Sequence, residues 1–270
     1  MIKTNCFKTY AFEGLNASGK SSVANLLSKE LSQKEYRVGL HKISGLGKGQ
    51  RMDKLREILN HRETLLRENK LNEHQERDFL SDRIFRIATR QQIRDYKNSN
   101  PSNYLDISLL DRTPLMSWAY SSSINVVNPY LDEILEESLN LTKELSIDLA
   151  FLFDVDPITV YTRIICRNCK KDENVEEQVL ELSKLIKAPK EVINKVVELS
   201  IFSFKNNPNI EPKPFHIWDY MSYDEVCNQM ENYHKVMEIA REKIGLKSVI
   251  IDATKNIENV IETILIYLPK

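Results

Sequence analysis

"AFEGLNASGKSS", residues 11–22, decides how the rest of the chain is read. Two of the chain's seven glycines stand in it, around a single lysine and just after the apolar-leaning run "CFKTYAF". Gly14 to Ser21 fits G-x-x-x-x-G-K-[ST], with a strand pattern before it and a helix pattern after it, the context that this motif requires. The glycines have a physical reason. Gly14 ends the strand in a turn, and Gly19 lets backbone N–H groups approach phosphate oxygens with no Cβ in the way. The loop then runs into a helix N-terminus, whose unpaired N–H groups and dipole favour an anion. On this reading Gly14, Ala17, Ser18, Gly19, Lys20, Ser21 and Ser22 bind ATP, Lys20 reaches the outer phosphates, and the Ser21 hydroxyl takes a place on Mg²⁺.

Working outward, short apolar runs alternate with longer amphipathic ones. "KTYAFEG" (8–14), "YRVGLHKI" (36–43), "DISLLD" (106–111), "DLAFLFDVD" (148–156) and "KSVIIDAT" (247–254) read as buried strands bounded by polar residues. Helical spacing follows, with Val23, Leu26, Leu27 and Leu31 on one face of 19–33 and Leu131, Ile134, Leu135 and Leu139 on one face of 129–145. The expected fold is α/β: a three-layer arrangement with a five-stranded parallel sheet flanked by helices and joined by right-handed crossovers. The chain is read as one phosphate-loop kinase domain over 1–270. Within it, residues 161–246 form a helical lid and insertion, strand-free from about 170 and carrying the proline-bearing loop "KNNPNIEPKPFH" (205–216).

Composition narrows the class. A chain of 270 residues can bury a sizeable core, and 38 basic against 39 acidic residues leave a net charge of −1, which argues against coating nucleic acid. No apolar run approaches the roughly 20 residues needed to span a bilayer, and "MIKTNCF" lacks the apolar centre of a signal peptide. The expectation is a cytoplasmic protein with reduced thiols and no membrane partner. Cys166 and Cys169 form a lone C-x-x-C without a second pair nearby, and are read as two ordinary thiols.

Three further segments bear on the phosphate chemistry. "LLDRTPLMSWAY" (109–120) sets Asp111 and Arg112 at the end of the third strand, where open α/β sheets place their ligands. Asp111 suits magnesium held through water, and Arg112 suits bidentate grip on a phosphate. "RDFLSDRIFRIATRQQIRD" (77–95) puts Phe79 and Arg83 one turn apart, a ring for a base beside a guanidinium for its phosphate, while Arg90 and Arg94 read as a solvated face. "DVDPITVYTRIICRNCKK" (154–171) spaces Arg163 and Arg167 four apart, as a pair that closes over the transferred phosphoryl group.

Taken in this order, the segments resemble the thymidylate kinase family. "FEGLNASGKSS" is similar to its phosphate loop, "FLSDR" to its F-x-x-x-R helix, and "DRTPLMSWAY" to its D-R-x-x-x-S-x-x-A-Y with the serine shifted by one. "IDLAFLFDVDP" followed by R-x-x-x-R resembles its fourth strand and lid, and "VIIDATKNIENVIETI" its closing strand and helix. The resemblance implies ATP- and Mg²⁺-dependent transfer to a nucleoside monophosphate, most directly dTMP, and a homodimer built through helices flanking the core. It implies catalytic roles for Lys20, Arg112, Arg163 and Arg167, and metal roles for Ser21 and Asp111. Phe79 stacks on the base, Arg83 and Arg112 hold the acceptor phosphate, and Tyr120 lies near the sugar. Asn16 stands where the family usually has a carboxylate near the acceptor sugar. After the second strand the family's T-R-E-P-G is replaced by "HKISGLGKGQR", so that Lys42 is left to serve the acceptor phosphate as a point charge. The D-R that usually follows the lid's second arginine is replaced by Lys170, Lys171 and Asp172.

Two other functions stay open at this level. A deoxynucleoside kinase needs a carboxylate base near its acceptor hydroxyl, and Glu13 is the carboxylate within sequence reach. A nucleotide-binding regulator would keep the fold without turnover.

Overall fold

The computed structural model describes residues 7–43, 75–123, 130–169, 174–184, 186–206 and 222–269, with the side chains of 75–85, 205 and 206 outside that description. Five parallel strands form one sheet: β1 (Lys8–Gly14), β2 (Val38–Lys42), β3 (Ile107–Asp111), β4 (Leu149–Asp154) and β5 (Ser248–Asp252), in the order β2-β3-β1-β4-β5. Each strand lies within the apolar run expected to form it. The three inner strands are buried along most of their length, as strands covered on both faces must be; β3 and β4 are mainly aliphatic and aromatic, and β1 carries Tyr10, Ala11 and Phe12 at its centre. Edge strands β2 and β5 are only partly covered, with Leu40 and Ile250 exposed.

The order places β1 at the centre, paired with β3 on one side and β4 on the other, so that Phe12 stands opposite Asp111 and Gly14 opposite Phe153. This register aligns the C-terminal ends of the strands, and the loops leaving them gather along one edge of the sheet. Phe12 anchors the centre, its ring 5.7 Å from that of Phe151 and 5.9 Å from that of Phe153. All three are fully buried, each contributing roughly 2–3 kcal/mol through loss of apolar surface to water.

Nine helices are described: α1 (Lys20–Gln33), α2 (Gln75–Asn98), α3 (Leu115–Ser121), α4 (Leu131–Glu144), α5 (Pro157–Asn168), α6 (Val175–Ser183), α7 (Lys190–Asn206), α8 (Tyr223–Ile244) and α9 (Ile257–Leu265). Two groups cover the sheet, α1 with α9 and α3 with α4 and α8. Helix starts follow their caps: Asp156 accepts from the Thr159 N–H at α5, and Asn256 from the Asn259 N–H at α9.

The segment 161–246 contains no strand among its described residues. Its parts have different neighbours. Helices α6 and α7 pack on α5 and on one another, whereas α8 touches α5 but also lies against α3, α4, β1 and β4. The α8 stripe Val226, Met230, Tyr233, Val236, Met237 and Ala240 is buried, so this helix is part of the core layer. The proline-bearing loop, apart from 205 and 206, lies outside the described residues.

Candidate active site

Phosphate-loop geometry begins with two glycines. Gly14 has φ +133°, and a Cβ there would sit 2.6 Å from the Phe153 carbonyl oxygen, so only glycine lets β1 lie this close to β4 at its end. Gly19 has φ +95° and is the N-terminal cap of α1, which turns the N–H groups of the first helical turn toward the cavity in front of it. Ala17, at φ +59°, is a left-handed residue without glycine's freedom.

Lys20 is the first residue of α1 and is buried, its Nζ donating to the Leu15 carbonyl and, at 3.1 Å, to Ser18 Oγ. Burial first, and then the neighbouring Arg112 charge, hold its pKa well below that of an ordinary lysine, while Asp111 and Glu13 oppose the shift. Ser21 Oγ donates to Asp111 Oδ2 at 2.7 Å, joining the start of α1 to the end of β3. These two oxygens suit a hard cation that takes its remaining ligands from phosphates and water, the usual habit of Mg²⁺. Among the described residues no group of three or more His, Cys, Asp or Glu side chains could hold a metal by itself.

The loop opens into a cavity of about 670 Å³. Five cations line it, Lys20, Arg112, Arg163, Arg167 and Lys255, and no carboxylate does so among the described residues. Such a lining suits a polyanion. Arg163, from α5, donates through Nη1 to the carbonyls of Ala17 (3.4 Å) and Ser18 (3.1 Å) and through Nη2 to that of Ala253 (2.7 Å). It thereby ties the phosphate loop to the turn after β5. Arg167 lies one helical turn further along the same wall. Ser22 and Asn16 complete the loop side.

Arg112 is the most connected residue of the site. It follows β3 with φ +78°, a left-handed conformation costly for a residue with a Cβ. Its Nη1 donates to the Gly14 carbonyl at 3.0 Å and to the Tyr233 hydroxyl at 2.8 Å. Its Nη2 donates to Asn16 Oδ1 at 2.7 Å and to the Tyr120 hydroxyl at 3.4 Å. The guanidinium also lies 5.6 Å from the centre of the Tyr120 ring. Burial would lower its pKa, but Tyr120, Tyr233, Glu13 and Asp111 together hold it charged.

Glu13 does not reach the cavity. It is fully buried in β1, and its Oε1 accepts from the Thr113 N–H, while Oε2 has no hydrogen-bond partner. Burial pushes its carboxyl up to about 7, against the lowering effect of the Thr113 hydrogen bonds, Arg112 and Lys20. It is therefore not placed to take a proton from an acceptor hydroxyl in that cavity.

Other residues singled out from sequence fall as follows. Lys42 ends β2 opposite Asp111, exposed at the same sheet edge and outside the cavity lining. Phe79 and Arg83 lie on α2, but their side chains are outside the described residues, as are Lys170, Lys171 and Asp172. Arg90 is half exposed and paired with Glu137 of α4, which Arg86 also contacts at 3.1 Å. Cys166 and Cys169 are buried free thiols, burial pushing them up to about 11 and about 12 respectively. Tyr233 is the residue that sequence reasoning missed. Its only local signal is a place in the apolar stripe of a helix remote from every motif.

A model of the family described as thymidylate kinase matches residues 12–211. A search of the curated proteins finds no match.

Proposed function

The chain belongs to the thymidylate kinase family, whose members are nucleoside monophosphate kinases, and on that premise we propose that it transfers the γ-phosphoryl group of Mg-ATP to the phosphate of dTMP, giving dTDP and ADP. The observation that carries the reading is the cavity before Gly19, lined by five cations and bordered by the hydrogen-bonded Ser21 and Asp111. So much fixed positive charge around one cavity is suited to the transition state of phosphoryl transfer, where charge spreads over the equatorial oxygens.

In this mechanism a phosphate oxygen of the acceptor attacks the γ-phosphorus, and the bond to the β-phosphate oxygen breaks, with ADP taking the electron pair. Lys20, the first residue of α1, lies against the β and γ phosphates. The N–H groups after Gly19 hold the β-phosphate. Ser21 and Asp111 would hold Mg²⁺, which when bound neutralises charge on the β and γ oxygens. Arg163 and Arg167 approach the transferred group from α5, and Arg112 fixes the acceptor phosphate across from it. The acceptor oxygen is already an anion, so no carboxylate base is needed. The buried position of Glu13 fits that economy and disfavours transfer to a nucleoside hydroxyl.

The test is ADP release from Mg-ATP by the purified protein across nucleoside monophosphates and free nucleosides. Turnover that depends on dTMP supports the reading. Turnover with nucleosides alone, or none across the panel, rejects it.

A further inference from the structure

Arg112 is held by a residue that lies beyond the span matched by the family model. Residues 12–211 are matched, and Tyr233 stands on α8, 121 positions after Arg112 in the chain. Tyr233 is fully buried, and its hydroxyl meets Arg112 Nη1 at 2.8 Å. The helix fixes that hydroxyl firmly. The Ser222 and Glu225 side chains close a capping box at its start, Gly245 caps its end in the left-handed conformation, and Val236, Met237 and Ala240 lock its inner face.

The two ends of the guanidinium are used differently. Both Nη1 hydrogens are spent on buried, neutral partners, the Gly14 carbonyl and the Tyr233 hydroxyl. The Nη2 end faces Asn16 Oδ1 and, at the longer distance of 3.4 Å, the Tyr120 hydroxyl. Asn16 lines the cavity and is neutral, so it holds the Nη2 edge without cancelling its charge. Each end makes two hydrogen bonds, but only Nη2 has a partner, Asn16, that lines the cavity, so Nη2 is the end that can exchange a protein oxygen for a phosphate oxygen while Nη1 keeps its buried partners. Releasing those partners would let the guanidinium rotate away from the left-handed backbone at φ +78° that presents it.

We infer that Tyr233 is a positioning residue for the acceptor phosphate: through Arg112 Nη1 it aims the Nη2 edge at the anion, so that α8 completes the acceptor site. The inference rests on the proposed monophosphate acceptor. It makes α8 part of the function as well as part of the core.

The test replaces only the hydroxyl, with Tyr233→Phe, which keeps the ring and its burial. Steady-state kinetics with dTMP and ATP are measured beside thermal unfolding, and dTMP binding is measured by titration calorimetry, which needs no turnover. Loss of one hydrogen bond to a charged group predicts dTMP binding and its KM weakened roughly tenfold, with the KM for ATP within about twofold. The melting temperature should stay within a few degrees. Equal dTMP affinity in the two proteins, binding by neither, or a parallel rise in both KM values would overturn the inference. If wild-type protein binds dTMP more tightly than the variant yet neither turns over, the positioning role stands and the kinase reading falls.

Discussion

Single residues carry the chemistry. Lys20 is a buried lysine held well below its ordinary pKa by burial and by Arg112, so in this arrangement its positive charge lacks compensation that phosphate oxygens would supply. Lys20→Ala should lower kcat by on the order of 10³ while leaving the fold intact, because a preorganised charge at the transferred group is lost. A kcat within tenfold of wild type would remove Lys20 from the mechanism. Glu13 makes a different prediction. Its carboxyl is raised to about 7 from 4.5, so the folded state holds a proton that the unfolded chain has released. Its contribution to stability is therefore full below pH 4.5 and declines as pH rises through the window to about 7. Glu13→Gln should remove this decline. Relative to the variant, wild type should lose up to about 3 kcal/mol of unfolding free energy across that window, as read by urea unfolding at several pH values. Parallel pH profiles would show that Glu13 titrates normally.

At the scale of elements, local chemistry was legible wherever the constraint was local. The left-handed cap at Gly19 and the helix opening at Lys20 depend on neighbours within the loop and could be read from "GLNASGKS" alone, whereas the close approach of Gly14 to Phe153 of β4 shows only in the fold. Strands were legible because the inner ones are buried on both faces, which leaves short apolar stretches such as Tyr10–Phe12 in β1 and Leu149–Phe153 in β4. The long segment after α5 was harder. Its helices share the same amphipathic pattern, and nothing in that pattern says which of them faces the sheet and which face one another. Only the fold separates α8, which reaches β1 and β4, from α6 and α7, which pack on α5 and on each other. Because α8 belongs to the core, its cap should register in global stability. Ser222 accepts from the Glu225 N–H while Glu225 accepts from the Ser222 N–H at 2.7 Å. Ser222→Ala should cost about 1 kcal/mol in chemical denaturation, and a neutral substitution would mean that α8 is indifferent to its start.

Across the whole molecule, the site is an edge of the sheet to which β1, β3, α5 and the turn after β5 each bring one part. Sequence order separates these parts by long stretches, and the parallel register reassembles them: Gly14 beside Phe153, Phe12 beside Asp111. Asp111 and Arg112 were legible because they end a strand next to the phosphate loop. Tyr233 was not, since its meaning lies in a contact 121 residues away. The same geometry bears on the acceptor. Burying Glu13 and lining the cavity with cations suits a substrate that arrives as an anion and disfavours one that must first lose a proton.

A competition assay addresses that claim most directly. Purified protein with Mg-ATP is given equal concentrations of dTMP and thymidine, and the products are resolved by anion-exchange chromatography. The expected product is dTDP, with thymidine untouched. Formation of dTMP from thymidine would contradict it.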